Sequence, residues 1–257
     1  MSAVDPQIPG TDPMAAGVSD AAHLPRARIG LIIPSSNRMT EPQFHRFCPA
    51  DIGVHITRLQ MTGKWHKHLG ELHDVIAGAA SALADSRVDL IVFHCTGHSM
   101  QEGLEGDRKV IEVIKEATGS AAISTAQAIT EALGALEMRK LVIISPYRQE
   151  VNDDEIRYLT AAGFEVLHDH GLGLKGGDEY ITVTPERWHD IVMENARDDA
   201  DGYFLSCTNT TMIEAIPALE QDLKKPVINS NQAVIWAFLK RIGEVPKMAE
   251  MGRLFAI

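Results

Sequence analysis

Two of the three cysteines stand in matching contexts. Val88-Asp89-Leu90-Ile91-Val92-Phe93-His94-Cys95-Thr96 is answered by Ala200-Asp201-Gly202-Tyr203-Phe204-Leu205-Ser206-Cys207-Thr208, at an offset of 112 residues. The same offset relates Met100 to Met212, Glu102 to Glu214, and Pro34 to Pro146 at the ends of two apolar runs. A further block, Ile123 to Ala128, echoes Ile228 to Ala233 at an offset of 105, as if seven residues were lost between. Solenoid repeats have periods of about 20–50 residues, so this spacing means one duplicated unit with a thiol at the equivalent place in each copy. A cysteine between a strand end and a helix start meets the positive end of that helix, which is expected to lower its pKa and favour thiolate. Two such residues, Cys95 and Cys207, could work as one thiolate and one thiol. The first would take a carbon-bound proton from one face while the second delivers one to the other. Alternatively, the thiolate could add to an activated double bond and leave after rotation.

Neutral donors fall in the polar clusters that follow apolar runs, beside free backbone N–H groups. Ser35, Ser36, Asn37, Thr96, Gly97, Tyr147, Thr208 and Asn209 offer hydroxyls, amides and backbone N–H groups. Such a set can hold a carboxylate and stabilise an enolate-like dianion, and the same side chains can cap helices. His98 could lie close to Cys95 on the following turn, where a cationic imidazole would lower the thiol pKa. His94 alternates with Cys95 and points away from it. His66, His68 and His73 are neighbours in sequence, and His168 and His170 fall in what reads as a Gly-rich loop, but no metal-binding frame surrounds them. They read as solvated histidines, and no metal is expected. Cys48 has no counterpart in the second copy and reads as a small buried hydrophobe. With no GxGxxG, GxxxxGK[ST] or Gly-x-Ser-x-Gly motif, no nucleotide, flavin or pyridoxal cofactor is expected.

The elements that must position these residues alternate. Short apolar runs at 29–33, 90–93, 141–144, 203–205 and 227–228, with candidates at 54–59 and 164–167, read as buried parallel strands. Helical spacing follows at 72–83, 110–114, 125–136, 153–162, 185–196 and 233–241. The implied fold is α/β: two pseudo-symmetric Rossmann-like lobes with parallel sheets and the active site in the cleft between them. The lobe boundaries expected are 27–125 plus 230–257 for the first and 126–229 for the second. In such sheets ligands gather at the carboxyl ends of strands. The five polar clusters at 34–37, 95–99, 145–147, 207–211 and 229–231 each follow a strand.

A net charge of −11 with no Lys/Arg cluster disfavours nucleic acid, and no apolar stretch approaches the ~18–20 residues of a membrane helix. Residues 1–26 show no periodicity and no apolar h-region, and read as a flexible leader rather than a signal peptide. Three cysteines, an odd number, suit a reducing cytoplasm. A homodimer or higher homo-oligomer is the expected assembly.

Gly30 to Asn37, the paired Cys95 and Cys207, Ser145-Pro146-Tyr147, Leu205-Ser206-Cys207 with Ala215-Ile216-Pro217, and the closing Gly252-Arg253-Leu254-Phe255 resemble the aspartate/glutamate racemase superfamily. Within it they most resemble the branch of maleate cis–trans isomerases and arylmalonate decarboxylases, from about Arg28 to the C-terminus. The resemblance implies two lobes about a pseudo-twofold axis and a cofactor-free site. It gives Asn37, Tyr147 and Thr96 to carboxylate binding, and Cys95 and Cys207 to the reacting positions. The substrate it implies is a small mono- or dicarboxylate, with maleate-to-fumarate conversion the specific expectation. Decarboxylation of an arylmalonate, with Cys207 as proton donor, and racemisation of an amino acid or hydantoin are the alternatives. A regulator that kept the fold and lost turnover is an alternative of another class. Two stretches depart from the isomerase pattern: Gly176-Gly177-Asp178-Glu179, where isomerases carry an asparagine, and the more polar Thr96-Gly97-His98.

Overall fold

The computed structural model describes residues 24–257, so most of the leader assigned to 1–26 lies outside the described residues. Among the described residues, eight strands are interleaved with ten α-helices. The first half runs β1 (Ala27–Pro34), α1 (Thr40–Phe47), β2 (Ile52–Leu59), α2 (His73–Asp85), β3 (Leu90–Phe93), α3 (Thr96–Gln101), α4 (Gly103–Thr118), β4 (Ala122–Ser124) and α5 (Thr125–Ala135). The second runs β5 (Lys140–Ser145), α6 (Gln149–Ala161), β6 (Glu165–Gly171), α7 (Gly177–Tyr180), α8 (Pro185–Glu194), β7 (Gly202–Leu205), α9 (Ile216–Leu223), β8 (Val227–Asn229) and α10 (Ser230–Arg241).

The duplication is visible in the hydrogen bonding. Two parallel four-stranded sheets have the orders β2-β1-β3-β4 and β6-β5-β7-β8. Ile29 pairs with Leu90 and Leu141 with Gly202, a register repeated at the offset of 112. Asp89 accepts the Arg28 N–H and Asp201 accepts the Lys140 N–H, each at 2.7 Å, so both copies lock their central strands with the same contact. Ile91 pairs with Ala122 and Tyr203 with Val227, which shows the lost seven residues falling before the last strand. A bulge between Leu141 and Val142 shifts β6 by one residue.

Strand alternation sets the packing. In β1 and β3, Ile29, Leu31, Ile33, Leu90 and Val92 face a core shared with the second sheet. Ile32, Ile91 and Phe93 face α2 and α4 through Ile76, Leu83 and Ile114. Between the sheets lie α5 and α10, and α10 is buried at every residue from Ser230 to Leu239, as a helix enclosed on all sides must be. Asn229 and Gln232 form a reciprocal cap at its start, and the Arg241 guanidinium donates to the Ala237 carbonyl at 2.9 Å near its end. Among the described residues no helix is long and apolar enough to cross a membrane.

Candidate active site

The tips that follow β1, β3, β5 and β7 open on one cavity of about 480 Å³. Ser36, Asn37, Cys95, Gly97, Tyr147, Cys207, Thr208 and Asn209 all line it. Ser35 and Thr96, both singled out in the sequence, do not line it; the Ser35 N–H donates to the Leu59 carbonyl at 2.7 Å, and Thr96 is turned inward. Thr96 is buried, and its hydroxyl donates to Ser230 Oγ at 2.9 Å instead of facing the cavity. Ser230 Oγ also accepts the Cys207 N–H at 3.2 Å, so one hydroxyl at the start of α10 ties the two cysteine tips together. Ser230 sits in the Asn229-Ser230-Asn231 cluster, whose position after a strand was the available signal.

The two halves are stitched at the site. Asn37 Oδ1 accepts the Met39 and Thr40 N–H groups, and its Nδ2 donates to Thr208 Oγ1 at 3.0 Å and to the Thr208 carbonyl at 3.3 Å. Its amide therefore caps α1 and braces the opposite tip. The Arg38 N–H donates to Asn209 Oδ1 at 2.8 Å, and the Arg38 guanidinium pairs with Asp178. A Cβ at Gly177 would lie 2.9 Å from Asn209 Nδ2, so a side chain there would displace the Asn209 amide. The carboxylates of the 176–179 stretch are thus partly engaged: Asp178 by Arg38, and Glu179 by the Lys175 N–H at 2.8 Å.

Electrostatically, the thiols differ from the sequence expectation of a lowered pKa. Burial pushes Cys95 up to about 12, against the opposing effect of the His98 backbone N–H. Burial likewise pushes Cys207 up to about 12, although the Tyr147 hydroxyl and the Asn209 N–H, the latter 3.3 Å from the sulfur, pull the other way. The short α3 does not offset the loss of water around Cys95. Both groups are neutral thiols in the resting cleft at pH 7. His98 lies where the sequence put it, with Nδ1 3.5 Å from Cys95 Sγ. Burial lowers its pKa to about 4, so the ring is neutral rather than the cation expected. Burial, then the neighbouring Cys207, holds the Tyr147 phenol well above its usual range, which keeps it a hydrogen-bond donor. Its ring meets Tyr180 edge-on at 5.7 Å.

Set beside known proteins, the chain matches the family model described as arylmalonate decarboxylase over residues 29–255. The chain belongs to the arylmalonate decarboxylase family. The chain is similar to the maleate isomerase of Geobacillus stearothermophilus, 24% identical over 243 residues, covering 89% of this chain and 97% of that protein. The crystal structure of a maleate isomerase from Pseudomonas putida S16 superposes with a TM-score of 0.82 at 23% identity, covering 89% of this chain and 98% of that one. A cysteine-to-serine mutant of the Nocardia farcinica maleate cis–trans isomerase, with a covalently bound succinylcysteine intermediate, superposes at 0.81 with 21% identity, covering 89% and 98%. These likenesses carry the α/β fold of the family.

Other parts of this arylmalonate decarboxylase family member support the cleft from behind. Glu155 on α6 is fully buried, accepts the Ser206 hydroxyl at 2.7 Å, and leaves Oε2 without a partner. Burial raises its pKa to about 8. Sequence reading missed it because Asp153-Asp154-Glu155 looks like a solvated acidic face. Gly171 ends β6 against Tyr147, where a Cβ would lie 2.5 Å from the Tyr147 carbonyl. Gly171→Ala is expected to cost about 1–3 kcal/mol by pushing two backbones apart. Because Tyr147 moves with that backbone, KM should rise as well, measured by thermal unfolding and steady-state kinetics together. His168 and His170 lie on the edge strand β6 rather than in a loop, and His168 Nε2 meets Asn195 Oδ1 at 2.8 Å. His94 points away from the cavity, with Nε2 2.8 Å from Asn231 Oδ1 and burial lowering its pKa to about 4. Cys48 is a buried free thiol outside the cavity. Among the described residues no group of three His, Cys, Asp or Glu could hold a metal ion.

Proposed function

We propose that this protein is a cofactor-independent cis–trans isomerase of a small carboxylate, converting maleate to fumarate. The observation that carries the reading is the placement of both Cys95 and Cys207 on one cavity that Ser36, Asn37, Tyr147, Thr208 and Asn209 also line as neutral donors. The names of the relatives support it, as does the succinylcysteine of the Nocardia farcinica neighbour, a thioether between a thiol and a four-carbon diacid.

In this reading Cys95 attacks one alkene carbon as thiolate, and the π electrons move to the adjacent carbon and its carboxylate. Ser36 Oγ, Tyr147, Thr208, Asn209 and the Gly97 backbone hold the carboxylates and the developing dianion, acting as preorganised donors. Asn37 serves by fixing Thr208. Cys207 protonates the carbanion, the single bond rotates, and Cys207 reclaims the proton as the C–S bond breaks. The catalyst returns unchanged, which is why no cofactor is invoked. Three free thiols favour a reducing cytoplasm, and a symmetric dimer is the simplest assembly, to be checked by sedimentation.

The test is proton NMR of purified enzyme with maleate: the fumarate singlet should grow as that of maleate falls. A second reading, decarboxylation of a substituted malonate, is favoured by the family model itself. It predicts carbon dioxide release from a malonate panel and no fumarate.

A further inference from the structure

We propose that His98 is the general base that takes the thiol proton of Cys95. His98 Nε2 lies 3.2 Å from the Lys67 carbonyl, which can only accept a hydrogen bond. That nitrogen therefore carries the ring hydrogen, and in the neutral imidazole Nδ1 is left as a bare lone pair. Nδ1 is the atom 3.5 Å from Cys95 Sγ, and both residues line the cavity. The orientation follows the logic by which a nucleophile is paired with a base and the base is held by a third group.

The repeat makes the assignment specific to one thiol. At the offset of 112 the residue matching His98 is Thr210, which offers Cys207 no basic nitrogen. Cys207 Sγ instead faces donors, the Asn209 N–H and the Tyr147 hydroxyl. A duplicated scaffold has thus been made unequal: Cys95 has a basic nitrogen beside it as well as the His98 backbone N–H, whereas Cys207 faces the donors named above. Burial opposes a lone thiolate and a lone imidazolium alike. Moving one proton from Sγ to Nδ1 creates both charges together, adjacent and with no net change, so each offsets the other's desolvation. Other titratable groups surround the pair. His66 and His68 lie beside His98, with His66 at 5.6 Å between ring centroids. From helices packed on α3 come Asp154 and Glu155 of α6 and Asp107 of α4.

The proposal rests on the isomerase reading for its purpose. The S–H bond breaks, the proton goes to Nδ1, and the sulfur electron pair forms the C–S bond. When that bond breaks after rotation, the pair returns to sulfur and Nδ1 returns the proton.

Peptide-resolved alkylation by iodoacetamide from pH 6 to 9 tests it, comparing the native protein with His98→Asn and His98→Gln. In the native protein the Cys95 rate should vary little with pH, since the proton stays within the pair. In the variants it should be at least about tenfold slower at pH 7 and rise about tenfold per pH unit, as a lone buried thiol does. Cys207 in the same molecules should be unchanged. Maleate turnover by either variant should fall about 100-fold at pH 7 and recover toward alkaline pH. Two variants with unaltered thermal unfolding and the same Cys95 profile as the native protein would overturn the assignment. If alkylation depends on His98 while maleate is not converted, the base assignment stands and the substrate reading fails.

Discussion

Cys207→Ala and Cys95→Ala are each expected to lower kcat/KM for maleate by about 10³-fold or more, with thermal unfolding little changed. Each thiol makes a different bond in the scheme, one to carbon and one to a migrating proton, so neither can cover for the other. Their combined loss should be no worse than the single losses, because residues that act as a unit are not additive. Cys48→Ala, at a buried position outside the cavity, should leave the rate unchanged. Fumarate formation by the four proteins, read by NMR under identical conditions, checks all of this. Full activity in either thiol variant would remove that cysteine from the mechanism.

The second large effect concerns Glu155 and stability. Its pKa stands at about 8 in the folded protein because the carboxyl is buried, whereas in the unfolded chain it titrates near its ordinary value of 4.5. Between those values the native state keeps a proton that the unfolded state releases, so the native state binds more protons and stability falls as pH rises. The contribution is complete below about pH 4.5 and is lost by about pH 8, on the order of 4 kcal/mol over the window. Glu155→Gln keeps the acceptor for the Ser206 hydroxyl and removes the titration. Its advantage over the native protein should therefore grow from near zero at pH 5 to several kcal/mol at pH 8.5, a difference in Tm on the order of 10 °C. Differential scanning calorimetry at the two pH values reads it. A Tm difference independent of pH would show that the carboxyl ionises in the folded state as it does in water. Ionised Glu155 also raises both thiols, so the variant should ease thiolate formation at alkaline pH.

Much of this arrangement is legible in the chain. The offset of 112 foretells equal strand order and equal register in the two sheets, because identical apolar runs bury in identical ways. The polar clusters after β1, β3, β5 and β7 do share one cavity. What escaped was decided by tertiary context. The three-residue β4 carries too little apolar sequence to announce itself, and α1 is a polar helix whose Gln43 is buried by a hydrogen bond to the Thr210 carbonyl at 2.7 Å. Glu155 occupies the position 112 residues after Gln43, but acid and amide look alike only when both are known to be buried. The thiol pKa values were misjudged for the same reason: a helix start can be seen in sequence, whereas the water excluded by the opposite half cannot.

In the proposed mechanism Cys95 bonds to substrate carbon while Cys207 handles the proton. The most direct test of that division is intact-protein and peptide mass spectrometry of Cys207→Ser after incubation with maleate. One succinyl unit per chain, mapped to the Cys95 peptide and absent from the double variant with Cys95→Ala, is the result expected. A chain left unmodified while native enzyme turns maleate over, or a succinyl unit carried on Cys48, would contradict it.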